Sequence, residues 1–182
     1  SADVTFTAYY PYSSSATAQS IPVDISAGEG AAEFLYASKT WSAADGTDSD
    51  IELIFEHKLA KVVLEITYSD SFEGLRATAP SASITDVPTT ASYLVDGTLV
   101  EGSQGGNQDL TIQSSLNEVS AILLPGSYSS YIIFEIGSER YYVPYTKTLV
   151  AGTIYTHKLT FGQNEATLGE ATIGDWVENN AA

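Results

Sequence analysis

The chain has 182 residues, 43% of them hydrophobic and 16% charged, which is enough apolar material for a packed core and excludes an intrinsically disordered chain. Seven Lys and Arg stand against 23 Asp and Glu, a formal net charge of −16; such a surface repels phosphate, so nucleic acid and anionic membranes are poor partners. No apolar run approaches the roughly 18 residues of a spanning helix, and the absence of Cys removes disulfides, zinc–thiolate sites, iron–sulfur clusters and Cys nucleophiles together.

Met is also absent, and Ser1-Ala2-Asp3 leads straight into a strand-like run. The chain therefore reads as a trimmed piece of a longer precursor, with any signal peptide or lipid anchor in the upstream part. Abundant Ser and Thr, 12 Tyr, 14 Gly and no helix-length amphipathic stretch predict an all-β protein of short strands and turns. Residues 42–50, Ser-Ala-Ala-Asp-Gly-Thr-Asp-Ser-Asp, read as a surface loop. In the run 51–59, Ile51, Leu53, Phe55, His57 and Leu59 share one face of a predicted strand, with Glu52, Glu56 and Lys58 opposite. After Ala60 the parity flips, and Val62, Leu64, Ile66 and Tyr68 become the apolar set. A one-residue shift turns every side chain to the other face. Either a bulge interrupts one strand or the chain leaves one sheet for another; the second reading places a domain boundary at 57–61.

Residues 101–107, Glu-Gly-Ser-Gln-Gly-Gly-Asn, are predicted to form a flexible surface loop. Ile132, Phe134 and Ile136 make one face of a strand, Gly137-Ser138-Glu139-Arg140 a turn, and Tyr141-Tyr142-Val143 the return strand of a hairpin. Pro144 then ends ladder pairing or marks an edge strand. Tyr155, His157, Leu159 and Phe161 alternate in a penultimate strand opened by Gly152, and Leu168, Ile173 and Trp176 point to one last short strand. The tail from Asn179 to Ala182 is expected to fray.

The sequence is poor in catalytic signals. Its two histidines, His57 and His157, lie on apolar strand faces, where a ring held by backbone carbonyls explains them better than a general base or a metal ligand. There is no phosphate loop, nucleophile elbow or His-Glu zinc motif, and the carboxylates are too dispersed to nominate a glycosidase pair. Asp45-Gly46-Thr47-Asp48-Ser49-Asp50 could wrap calcium through oxygen ligands, but it lacks the distal bidentate Glu of an EF-hand loop and reads as a solvated acidic turn. No catalytic, cofactor or metal residue is therefore assigned. Tyr9-Tyr10-Pro11-Tyr12, Tyr128 with Tyr131, and Tyr141-Tyr142 with Tyr145 could offer platforms for sugar rings, or be ordinary strand residues with buried rings.

Six segments in order resemble one family. Phe6-Thr7-Ala8-Tyr9-Tyr10-Pro11-Tyr12 is similar to the "FxAYYPY" strand of the fimbrillin-like proteins of Bacteroidales. Glu33-Phe34-Leu35-Tyr36-Ala37 resembles their "D-[FL]-[LM]-x-A" segment with Glu for Asp, and Phe55-Glu56-His57-Lys58-Leu59-Ala60-Lys61-Val62 their "FxHxLAKV" signature. Leu123-Leu124-Pro125-Gly126 is similar to "LLPQ", with Gly for Gln. Leu149-Val150-Ala151-Gly152 with Tyr155 and Leu159 resembles "L-x-AG-xx-Y-xxx-L", and Ile173-Gly174-Asp175-Trp176 the closing "I-xx-W".

The resemblance implies two β-sandwich domains of transthyretin-like topology. Residues 1–58 would be the latter part of a first sandwich whose N-terminal strands are missing, and 59–182 the second. It also implies a non-enzymatic component of type V fimbriae, exported as a lipoprotein, trimmed, and assembled with other pilin subunits or an anchor protein by β-strand exchange at the cell surface. No cofactor is implied. The absence of a long apolar C-terminal extension favours a tip, anchor or accessory role over a stalk pilin. The alternative is a glycan-binding sandwich module using Tyr rings and Trp41, with a host glycan or protein receptor as its partner. On the fimbrial reading, a strand-accepting groove is expected within residues 1–58, lined by Phe6, Ile21, Val23 and Phe34.

Overall fold

The computed structural model describes residues 3–28, 33–42, 50–72 and 76–177. Among these it contains strands and no helix, so no helix is long and apolar enough to cross a membrane. In chain order the strands are β1 (Val4–Tyr10), β2 (Ile21–Asp24), β3 (Leu35–Trp41), β4 (Glu56–His57), β5 (Ala60–Tyr68), β6 (Ser81–Val87) and β7 (Thr90–Tyr93). They continue as β8 (Gln108–Ser114), β9 (Glu118–Leu123), β10 (Gly126–Ile136), β11 (Glu139–Leu149), β12 (Thr153–Phe161), β13 (Ala166–Leu168) and β14 (Thr172–Asp175).

The larger sheet runs β11-β10-β6-β8-β9-β5-β12-β13, with β14 also pairing β12. It folds over on itself as a sandwich. Phe134 and Tyr141, from β10 and β11, meet Phe161 of β12 edge-on at 5.4 and 5.1 Å between ring centroids. Fully burying such a side chain is worth about 2–3 kcal/mol. β5 shows the expected alternation, with Ala60, Val62, Leu64 and Ile66 buried. It lies between antiparallel β9 and parallel β12.

Pairing corrects several expectations and bears out the change of sheet. Residues 51–59 do not form one strand: only Glu56–His57 pairs, and it does so with β3 in a three-stranded sheet β1-β3-β4. The parity flip is a change of sheet, because β4 ends at His57 and β5 starts in the large sheet at Ala60. The segment 101–107 is tied down rather than free: Gly105 N–H donates to Thr90 O at 3.0 Å, Gly105 O accepts from Thr89 and Thr90, and Gln104 Nε2 donates to Pro125 O. The end of the chain holds two short strands, not one; Leu168 lies in β13 and Ile173 in β14, both on β12. The hairpin stands, with the turn shortened to Gly137-Ser138, since Glu139 already pairs Ile136. Pro144 sits on β11 at the sheet edge, where its missing N–H costs no ladder bond.

β2 pairs β7 antiparallel, Ile21 opposite Tyr93 and Val23 opposite Ala91. That pairing carries Ile21, Val23 and Ile25 into one hydrophobic cluster with Phe34, Leu64, Val87 and Leu124. The expected groove lining is therefore corrected. Ile21 and Phe34 are each 1% exposed and belong to the core, Val23 is buried beside them, and only Phe6 of the four stands in solvent.

Candidate functional site

The three-stranded sheet is amphipathic in an unusual sense. Register places Val4 opposite Trp41, Phe6 opposite Lys39 and Tyr10 opposite Leu35 on one face. The other face carries Thr5 with Thr40, their hydroxyls 3.0 Å apart, then Thr7 with Ser38 and Tyr9 with Tyr36. Cross-strand partners of this kind share a face. Tyr9 and Tyr36 turn toward the core, Tyr36 donating its hydroxyl to Val95 O, while Val4, Phe6 and Tyr10 are exposed on the opposite face. Both edges are open in part. Among the described residues β1 pairs only β3, and β3 has no partner on its β4 side from Ala37 to Trp41.

Where β4 ends, the chain borders a groove of about 700 Å³ between residues 52–58 on one wall and Ala151, Gly152 and Asp175–Val177 on the other. One backbone bond ties Gly152 to the chain just after the 52–58 wall, and another fixes Trp176 to Gly152 within the second wall. Gly152 N–H donates to Leu59 O at 2.8 Å, and Trp176 N–H to Gly152 O at 2.7 Å. Gly152 sits at φ +68°, in the left-handed region, and a Cβ there would stand 3.2 Å from His57 O. Only glycine makes that approach without strain.

His57 is 5% exposed and stacks on the Trp176 indole, 3.8 Å between centroids and 7° from parallel. Its Nδ1 lies 3.7 Å from Glu33 Oε1. Beneath it Tyr93 donates to Lys58 O at 3.0 Å, and burial pushes that phenol well above the usual tyrosine range. Lys58 reaches Glu56 at 3.0 Å and lies over the Tyr36 ring. The rim is apolar and wet: Ile54 is 74% exposed, Val177 70% and Phe55 45%. Residues 51–55 pair with no strand among the described residues. The arrangement offers apolar contact and strand-pairing groups, and brings no nucleophile, base and oxyanion donors together.

His157, like His57, is buried; its Nδ1–H donates to Gly169 O at 2.7 Å, while Nε2 has no partner among the described residues. The tyrosines divide between buried and exposed faces, and register places Tyr131 and Tyr142 diagonally on the outward face of the β10–β11 pair. Tyr128, Tyr141 and Tyr145 are buried, Tyr128 donating to Leu124 O, whereas Tyr10, Tyr12, Tyr131 and Tyr142 are exposed. Trp41 is half-buried at the end of β3. Of the acidic run 45–50, only Asp50 lies within the described residues. No group of three His, Asp or Glu among the described residues could hold a metal.

The model of the family described as fimbrillin-like matches residues 1–176. The chain belongs to the fimbrillin-like family. Its motifs thus mark positions of a structural, non-enzymatic family. A search of curated proteins finds no match. Among solved structures, this fimbrillin-like chain is similar to a candidate cell adhesion protein of Bacteroides uniformis, with 23% identity, a TM-score of 0.78, and coverage of 95% of this chain and 73% of that one. A Bacteroides ovatus counterpart gives 22% identity and a TM-score of 0.78 over 98% and 69% of the two chains. One from Bacteroides thetaiotaomicron gives 15% and 0.58 over 86% and 65%. At these identities the likeness is one of fold.

The "FxHxLAKV" segment (55–62) and the "I-xx-W" segment (173–176) thereby gain a physical meaning. The first supplies His57, the second Trp176, and the two rings stack on each other at the groove. The sequence reading placed His57 inside an apolar alternation but missed its partner and the exposed rim at Ile54. A signal for the rim was present: Ile54 is the one apolar residue that breaks the alternation of 51–59.

Proposed function

We propose that this chain is a fimbrial or adhesive component of the cell surface that joins other subunits by accepting a β-strand beside the 52–58 segment. The observation that carries this reading is the groove itself, rimmed by Ile54, Phe55 and Val177 in solvent and bordered on one wall by residues 52–55, which pair with no strand among the described residues. An exposed edge supplies backbone hydrogen bonds and alternating pockets supply specificity, the means by which an added strand binds. Residues 1–58 are read as the C-terminal part of a first sandwich and 59–182 as a second, of transthyretin-like topology, meeting where β4 gives way to β5 and joined by the β2–β7 pairing. Fimbrillin-like membership and the likeness to adhesion proteins support a surface location; a lipoprotein precursor and attachment to the outer membrane extend that reading. Burial of Tyr128, Tyr141 and Tyr145 narrows the glycan-binding alternative to the exposed Tyr10, Tyr12, Tyr131 and Tyr142.

The test introduces Ile54→Asp and Phe55→Asp, separately and together, and measures incorporation of the chain into fimbriae. Both side chains are solvent-exposed, so the fold should hold. Loss of incorporation with an unchanged melting temperature supports the reading. Normal incorporation of the folded double variant refutes it.

A further inference from the structure

The charged groups around the groove are strongly one-sided. Glu52, Glu56 and Asp175 line it, against Lys58 alone. Lys58 offsets Glu56, which its ammonium meets at 3.0 Å, and leaves Glu52 and Asp175 with no further cation among the lining residues. All three carboxylates lie on exposed residues at the rim, where an incoming chain would meet them, while the apolar groups Ile54, Phe55 and Trp176 lie among them. The chain as a whole carries −16. A strand beside such a groove points alternate side chains to opposite sides, so one set can meet the apolar groups and the other the exposed carboxylates. Rim positions filled by Asp or Glu would face like charge, and Lys or Arg would meet opposite charge. Complementarity of this sort steers encounter and rejects wrong partners more than it adds affinity.

We infer that the partner segment is a strand with basic residues alternating with apolar ones, the basic side chains facing Glu52, Glu56 and Asp175. The inference rests on the strand-accepting reading above and adds the chemistry of the accepted strand. It also disfavours these 182 residues of a second copy as the donor, since seven basic residues among 23 acidic ones leave little basic strand in them.

The test uses the 182-residue chain and three synthetic peptides of about ten residues, alternating Val with Lys, Thr or Glu. Binding is followed by calorimetry at low salt, with the Glu52→Gln, Glu56→Gln, Asp175→Asn triple variant in parallel. Exposed ion pairs are individually weak, so the expected order is Lys over Thr over Glu, with about tenfold between the extremes. The gap should narrow as salt screens it, and it should collapse in the triple variant. Equal binding of all three peptides overturns the basic-partner inference and leaves strand acceptance standing. A Lys preference that persists in the triple variant also overturns it, because the attraction then belongs to the molecule's overall charge. If neither the Lys nor the Thr peptide binds, strand acceptance at this groove fails and the inference falls with it.

Discussion

Truncating His57 to Ala removes one half of the contact that joins β4 to the end of the chain. The ring is 5% exposed and stacks on Trp176 at 3.8 Å. Loss of a buried ring of this size, with partial collapse around the space, and of a stacked pair costs about 2–3 kcal/mol. For a chain of 182 residues, each kcal/mol moves the melting temperature by about 2–4 °C, so the expected fall is about 4–12 °C. The assay is thermal and urea unfolding followed by selectively excited tryptophan fluorescence in a Trp41→Phe background, where Trp176 is the sole tryptophan. The emission of folded Trp176 should also change, because the imidazole no longer covers one face of the indole. His57→Phe keeps an aromatic ring in place and should recover at least half of the lost stability. A melting temperature within about 1 °C of the parent, with Trp176 emission unchanged, would refute the stacking account.

Gly152→Ala should destabilise by about 1–2 kcal/mol, since it forces a side chain into φ +68° within 3.2 Å of His57 O; urea titration reads it directly. Burial raises the phenol pKa of Tyr93, Tyr128 and Tyr145. The folded state therefore holds these protons where the unfolded chain releases them, so stability is intact below the unfolded tyrosine value near 10 and falls as pH rises past it. Circular dichroism melts from pH 8 to pH 12 should show that fall, and Tyr93→Phe should soften it. Asp24 is shifted the other way, lowered first by the Ser26 hydroxyl and then by the Ser26 N–H. Its contribution is present above the ordinary aspartate value and fades as pH drops through the lowered one, and Asp24→Asn should flatten the acid side of the stability profile. Chelator should leave the melting temperature unchanged if the 45–50 run is a solvated turn; a loss of several degrees reversed by calcium would assign it a metal.

Much of the fold was legible because half-buried strands advertise their faces. Val62, Leu64 and Ile66 alternate with exposed or half-buried neighbours, and β5 follows that pattern residue for residue. The change of sheet at 58–60 was legible for the same reason, as a reversal of parity. The run 51–59 misled because its alternation was only compositional: Ile51 and Phe55 face solvent, and no ladder forms before Glu56. The loop at 101–107 misled in the opposite direction, since Gly-rich composition reports local freedom but not the bonds Gly105 makes with Thr89 and Thr90. The groove could not be read from sequence at all. Its walls come from residues 52–58 and 151–177, brought together by the parallel pairing of β5 with β12, a contact that leaves no local periodicity. The misplaced lining at Ile21 and Phe34 has the same origin, because the β2–β7 pairing that buries Ile21 crosses the proposed domain boundary.

The chain contains no Cys, so a single introduced thiol is unique on its surface. With Ile54→Cys carrying a short photo-crosslinker in fimbriated cells, a strand of another fimbrial subunit should be captured and identified by mass spectrometry, while Tyr131→Cys, on the far strand β10, should capture none. Equal capture at both positions, or none at Ile54→Cys in a chain that is folded and displayed, would contradict strand acceptance at this groove.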